Sequence, residues 1–163
     1  MVVSAHHLAS QAGVEILKKG GNAVDAAIAT GLALAVVHPA AGNIGGGGFM
    51  IVFTNKGEVT AFDFREKAPL AAQEGIYVDA TGNYVKDLNH EGYLAVGVPG
   101  TIAGFDLALK RFGKKTWSEL TAPAVNLAEK GFVLSWALAA DVKSERNDFS
   151  RYPSSMKVFF KEN

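Results

Sequence analysis

Apolar residues recur at spacing four from Leu8 through Ala12 to Ile16, with Ala9, Gly13 and Leu17 beside them, which is a helical face. Ser4 is placed to cap that helix, Lys18-Lys19 favour its C-terminus, and Gly20-Gly21 stop it. Asn22 caps a second helix, with Asp25 in its first turn. From Ala26 the pattern is apolar on every side, which predicts burial, and the many alanines with Gly31 allow close backbone approach. His38-Pro39 ends the helix. The period then changes. Phe49 to Thr54 and Val59 to Phe64 are rich in Phe, Val, Ile and Thr, and Asn55-Lys56-Gly57-Glu58 joins them as a hairpin. Residues 75–98 are mixed, with a turn at Ala80-Thr81-Gly82-Asn83. Pro99 and Gly113 bracket a third helix, on which Phe105, Leu109 and Phe112 share a face. Pro123 argues against one unbroken helix from Thr116. The expectation is a short turn over Trp117–Leu120, then a helix from Thr121 to Lys130 stopped by Gly131. Ser135 opens another helix through Val142, and Arg146–Pro153 reads as a polar loop.

Composition narrows the class. The 163 residues are 48% hydrophobic and 20% charged, as in a folded globular chain. No low-complexity linker divides them, and the two Lys-Gly endings, Ile16–Gly20 and Leu127–Gly131, share stop chemistry without being a repeat. Sixteen basic residues balance sixteen acidic ones, which argues against binding nucleic acid or anionic membrane by charge. The absence of cysteine removes disulfides, thiolate nucleophiles and Cys-ligated zinc. The longest uncharged apolar run, Ala26 to Val37, is about 12 residues against the roughly 20 that cross a bilayer. No basic stretch followed by an apolar one marks a signal peptide at the start. Met1-Val2-Val3-Ser4 opens straight into an element, and Val158-Phe159-Phe160-Lys161-Glu162-Asn163 stays apolar almost to the end. The expectation is a single incomplete domain over residues 1–163.

The glycine cluster Gly45-Gly46-Gly47-Gly48 invites a nucleotide reading and fails it. No Lys follows Gly48, and Met50 stands where a dinucleotide fingerprint needs its third glycine. A helix precedes the cluster and a strand follows it, so no helix N-terminus is expected to face it. Close backbone packing or positive φ is the ordinary use of such glycines. His6 and His7 are adjacent, about 100° apart on a helix, and cannot chelate together. His38 precedes a proline and His90 lies in a loop, so no metal site is expected. Ser4, Ser10, Ser118, Ser135 and Ser144 sit in helical or capping contexts, without a Gly-x-Ser-x-Gly elbow. Gly100-Thr101 places a hydroxyl after a glycine, but in the opening turn of an apolar helix, where capping is its ordinary role. Asp63 and Glu66 alternate with Arg65 and Lys67, which suits a local ion network. Arg65 follows a strand. A guanidinium held there suits either a structural salt bridge or a bidentate grip on a substrate carboxylate.

Taken together these motifs resemble the start of the large subunit of the γ-glutamyltranspeptidases. The matching stretches are Ala9–Gly13, Ile16–Ala27, His38-Pro39, Ala41–Met50, Asp63–Pro69, Gly97–Phe105, Pro123-Ala124 and Leu127-Ala128. The resemblance implies an α+β fold, part of the four-layer αββα sandwich of the N-terminal nucleophile hydrolases. It implies a precursor that cleaves itself into a large and a small subunit. The small subunit's N-terminal Thr is then the nucleophile, with its own α-amine as base. That Thr attacks a γ-glutamyl amide such as glutathione, and the acyl group passes to water or an amino acid. By resemblance Arg65 binds the α-carboxylate of the γ-glutamyl group, and no cofactor is needed. Poly-γ-glutamate depolymerases, cephalosporin acylases or a non-catalytic scaffold remain alternatives. A periplasmic or secreted location is implied in the same way. No Thr here is followed by His, so the nucleophile motif is expected on the small subunit and not in this chain.

Overall fold

The computed structural model describes residues 1–160, so the Lys161–Asn163 end named above lies outside the described residues. Helix α1 spans His7–Lys18 and α2 spans Ala23–Val37. Strands β1 (Phe49–Phe53) and β2 (Val59–Asp63) form an antiparallel hairpin, with Phe49 opposite Asp63 and Phe53 opposite Val59. A 3-10 turn at Tyr93–Ala95 precedes α3 (Thr101–Phe112), α4 (Trp117–Lys130), α5 (Trp136–Ser144), α6 (Arg146–Ser150) and α7 (Pro153–Phe159).

Helix α2 is the centre. Its apolar sequence is mostly buried, with Ala27 exposed and Leu34–Val36 half-buried, and it packs against α1, α3 and α4. Gly31 lets it meet α3, because a Cβ there would lie 2.7 Å from Phe105 Cζ. The Asn22 side chain accepts the Val24 and Asp25 N–H groups, while the Asp25 carboxylate accepts the Asn22 N–H at 2.8 Å. Asp25 is fully buried and reaches further, accepting from Lys114 N–H at 3.0 Å and Lys115 N–H at 3.1 Å. Asn22 Nδ2 also donates to the Phe112 carbonyl. One helix start thereby clasps the distant α3–α4 turn.

The hairpin lies on this helical layer by one face. Phe62 is buried, and Met50 and Val52 pack with it against α2 and α3 residues. The opposite face shows Phe49, Ile51, Phe53 and Val59 to the exterior. Among the described residues the architecture is therefore helices with a two-stranded sheet. No described helix is long and apolar enough to cross a membrane.

Four local expectations are corrected. The cap of α1 is His6, whose Nδ1 accepts the Leu8 N–H, while the Ser4 hydroxyl is spent on the His6 carbonyl and Ser10. Helix α4 runs unbroken through Pro123. A capping box between Thr116 and Glu119 fixes its first turn, and Leu120 and Ala124 anchor both sides of the proline in the core. The carbonyl that Pro123 leaves without a donor belongs to exposed Glu119, within reach of water. The Arg146–Pro153 stretch is not a loop: α6 occupies most of it and α7 begins at Pro153. The Phe149 ring meets Phe159 tilted and Phe160 edge-on, and Arg151 forks onto both carboxylate oxygens of Glu91, so aromatic contacts within the tail and one distant ion pair order it. Finally, α5 continues two residues beyond Val142, from its expected Ser135 cap.

Candidate functional site

Strand β2 ends at Asp63, and the next residues, Phe64-Arg65-Glu66-Lys67, pass between two glycine-bearing segments. On one side the Phe64 N–H donates to the Gly48 carbonyl at 3.0 Å. On the other, Lys67 and Val98 exchange both backbone hydrogen bonds, at 2.8 and 3.2 Å. The Asp63 carboxylate accepts the Arg65 N–H at 3.0 Å, turning the chain as it leaves the strand.

Glycines close on this segment from every side. A Cβ on Gly47 would fall on the Phe64 carbonyl and lie 2.8 Å from both Arg65 Cα and the Glu66 nitrogen. One on Gly100 would fall on the Phe64 carbonyl, one on Gly104 on the Phe64 ring, and one on Gly97 would lie 3.1 Å from Glu66 Cβ. The use of the glycine cluster is thus close packing, and none of Gly45–Gly48 has positive φ. The loop also meets a helix N-terminus, contrary to expectation. The Gly46 carbonyl accepts from Gly100 N–H at 2.8 Å and Thr101 N–H at 3.1 Å, which opens α3. Those donors are taken by a carbonyl of the chain itself. Thr101 is buried and makes no capping hydrogen bond, and Gly100 holds the cap position, so the capping role expected of Thr101 is not found.

Arg65 itself projects outward, its side chain 60% exposed. Its Nε lies 2.8 Å from Glu66 Oε2, an oxygen that is buried and makes no hydrogen bond, so charge and proximity alone hold the pair. Among the described residues the terminal guanidinium nitrogens make no hydrogen bond, which leaves the fork available. Beside it is an open groove of about 290 Å³, lined by Arg65 and Lys67 and by Val98, Pro99, Ala103 and Leu107. Of the expected ion network among Asp63, Arg65, Glu66 and Lys67, the described residues form only the Arg65–Glu66 pair, while the Asp63 carboxylate is turned to the Arg65 backbone N–H.

The other sequence candidates do not join this site. His6 stands outside α1, so its ring stacks on His7 at 4.7 Å and the two do not diverge as helical neighbours would. Burial pushes the His6 imidazole below its ordinary value, and His7 and His38 push it further the same way. Sequence reasoning missed Gly97, Gly100 and Gly104 as parts of the site. The spacing of Gly100 and Gly104, four apart, was a legible sign of a smooth helix face.

The family model described as Gamma-glutamyltranspeptidase matches residues 9–163. The chain belongs to that family. A glutathione hydrolase proenzyme of Pseudomonas sp. (strain A14) is 54% identical over 153 residues, which are 90% of this chain and 27% of the relative. The crystal structure of Helicobacter pylori γ-glutamyltranspeptidase superposes with a TM-score of 0.96 at 52% identity, covering 100% of this chain and 47% of that one. A cephalosporin acylase from Bacillus halodurans superposes with a TM-score of 0.78 at 32% identity, covering 96% of this chain and 27% of the acylase chain. The chain spans about a quarter of the length of the curated glutathione hydrolase proenzymes it matches.

Proposed function

We propose that this chain is the opening part of the large subunit of an enzyme that transfers or hydrolyses γ-glutamyl groups, glutathione among its substrates. It forms one incomplete domain, and its helices and hairpin are part of a four-layer αββα sandwich. The nucleophile is the N-terminal Thr of a small subunit released from the same precursor. The Thr α-amine takes the hydroxyl proton as oxygen attacks the γ-carbonyl. Backbone N–H groups outside this chain stabilise the oxyanion. The leaving amine departs protonated, and water or an acceptor amine then releases the γ-glutamyl group. Within this chain Arg65 grips the α-carboxylate and so fixes the γ-carbonyl relative to the nucleophile. The location is periplasmic or secreted.

The observation that carries this reading is the exposed guanidinium of Arg65, its terminal nitrogens without a hydrogen bond among the described residues, on a backbone clamped by four glycines. The test is steady-state kinetics of the full-length, self-processed protein on a γ-glutamyl anilide. Arg65→Ala should cost about 2–5 kcal/mol in kcat/KM, the scale for truncating one partner of a hydrogen-bonded charge pair that the bound substrate and the small subunit bury. Wild-type kcat/KM in that variant refutes the role of Arg65. Residues 1–163 alone should be inactive.

A second reading keeps the fold and changes the acyl group, and the match to the cephalosporin acylase favours it. Parallel assays on glutathione, poly-γ-glutamate and a glutaryl amide separate the two. Turnover of the glutaryl amide in preference to glutathione would select the acylase.

A further inference from the structure

The glycine cluster was the loudest motif in the sequence, and the reaction described above gives it no chemical step. We infer that Gly47 is a positioning residue for Arg65, setting where the guanidinium meets the substrate carboxylate. This rests on the reading of Arg65 given above. The backbone of Phe64–Glu66 is pinned through both its faces. The Gly46 carbonyl ties the glycine loop to the start of α3 through the Gly100 and Thr101 N–H groups. The space that a Cβ on Gly47 would need is filled by the Phe64 carbonyl, Arg65 Cα and the Glu66 nitrogen, and the same carbonyl fills the space beside Gly100 at the start of α3. Backbone atoms cannot yield as a flexible side chain would, so a methyl on Gly47 moves the Arg65 Cα itself. Neighbouring Gly45 offers a contrast within one loop, because a Cβ there meets nothing within 4 Å. The glycine requirement is therefore one of space at Gly47, directed at Arg65.

The test compares two substrates on full-length, self-processed protein: a γ-glutamyl anilide and the 4-aminobutyryl anilide, which lacks only the α-carboxylate. Gly47→Ala should lower kcat/KM on the first by roughly 100-fold, the scale of an ångström-sized misplacement, mainly through KM. The same variant should leave the second substrate unchanged, and Gly45→Ala should leave both unchanged. Equal losses on both substrates, or no loss, would overturn the inference. Arg65→Ala is run alongside. If it abolishes the preference for the carboxylate substrate and Gly47→Ala does not, the reading of Arg65 stands and the inference falls. If Arg65→Ala retains that preference, both fall. Should Gly47→Ala fail to accumulate with Gly45→Ala normal, the two-substrate comparison is made on the Gly47→Ala protein refolded or expressed at low temperature, and equal losses on both substrates there overturn the inference.

Discussion

Asp25 is the residue whose loss should be felt farthest from its own position. Its carboxylate is fully buried and receives three backbone N–H groups, those of Asn22, Lys114 and Lys115. Asp25→Ala leaves all three donors facing an apolar gap, at about 1–3 kcal/mol each. Removing a buried charge returns part of that cost, so the net loss should be about 3–5 kcal/mol. Asp25→Asn is the sharper probe. One oxygen can still serve Lys114 and Lys115, or Asn22, but the amide nitrogen then meets an N–H on the other side. That variant should lose about 1–3 kcal/mol, one unsatisfied donor's worth. Urea unfolding of the full-length protein gives the totals, and hydrogen exchange gives the place. The Lys114 and Lys115 amides should exchange faster in Asp25→Ala, while α5 amides do not. An Asp25→Ala protein within about 1 kcal/mol of wild type, with those two amides still protected, would refute the clasp.

Two pH responses follow from the caps. The Thr116 N–H, then the Thr116 hydroxyl and Lys115, hold the Glu119 carboxyl down at about 2. Its contribution to α4 is complete above the ordinary glutamate range and is lost as pH falls toward 2; Glu119→Gln should flatten that acid limb in a denaturation series. His6 runs the same way higher up the scale: burial, then His7 and His38, favour its neutral ring in the folded state. Stability from His6 is complete above the ordinary imidazole value and declines as pH drops below it. His6→Asn, which can still cap α1, should remove that slope between neutral and mildly acid pH.

What was legible in the sequence was local. Asn22 with Asp25, the Gly20-Gly21 stop, the Asn55–Glu58 turn and the Ser135 cap each act within a few residues, and each appears where the pattern places it. Arg65 follows the strand for the same reason. What was not legible depends on residues far along the chain. The clamp on Arg65 joins Gly47 to Gly97, Gly100 and Gly104, some fifty positions later. Pro123 is tolerated because Leu120 and Ala124 find α2, a contact that no local rule contains. The Thr116-x-x-Glu119 capping pattern, by contrast, is local and legible, and it starts α4 ahead of the proline. The histidine stack depends on His6 standing one residue outside the helix.

The outward face of the hairpin has a consequence for handling the protein. Phe49, Ile51, Phe53 and Val59 form an apolar strip, and among the described residues neither outer edge of β1 or β2 is paired. Such an edge is a template on which another strand can add, with the strip supplying a dry seam. Residues 1–163 produced by themselves should therefore associate in a concentration-dependent way, and Ile51→Lys should relieve it without touching the buried face. The same strip makes synthesis a matter of timing. Until something covers it, the nascent chain carries an adhesive surface, and a holding chaperone would find its grip there.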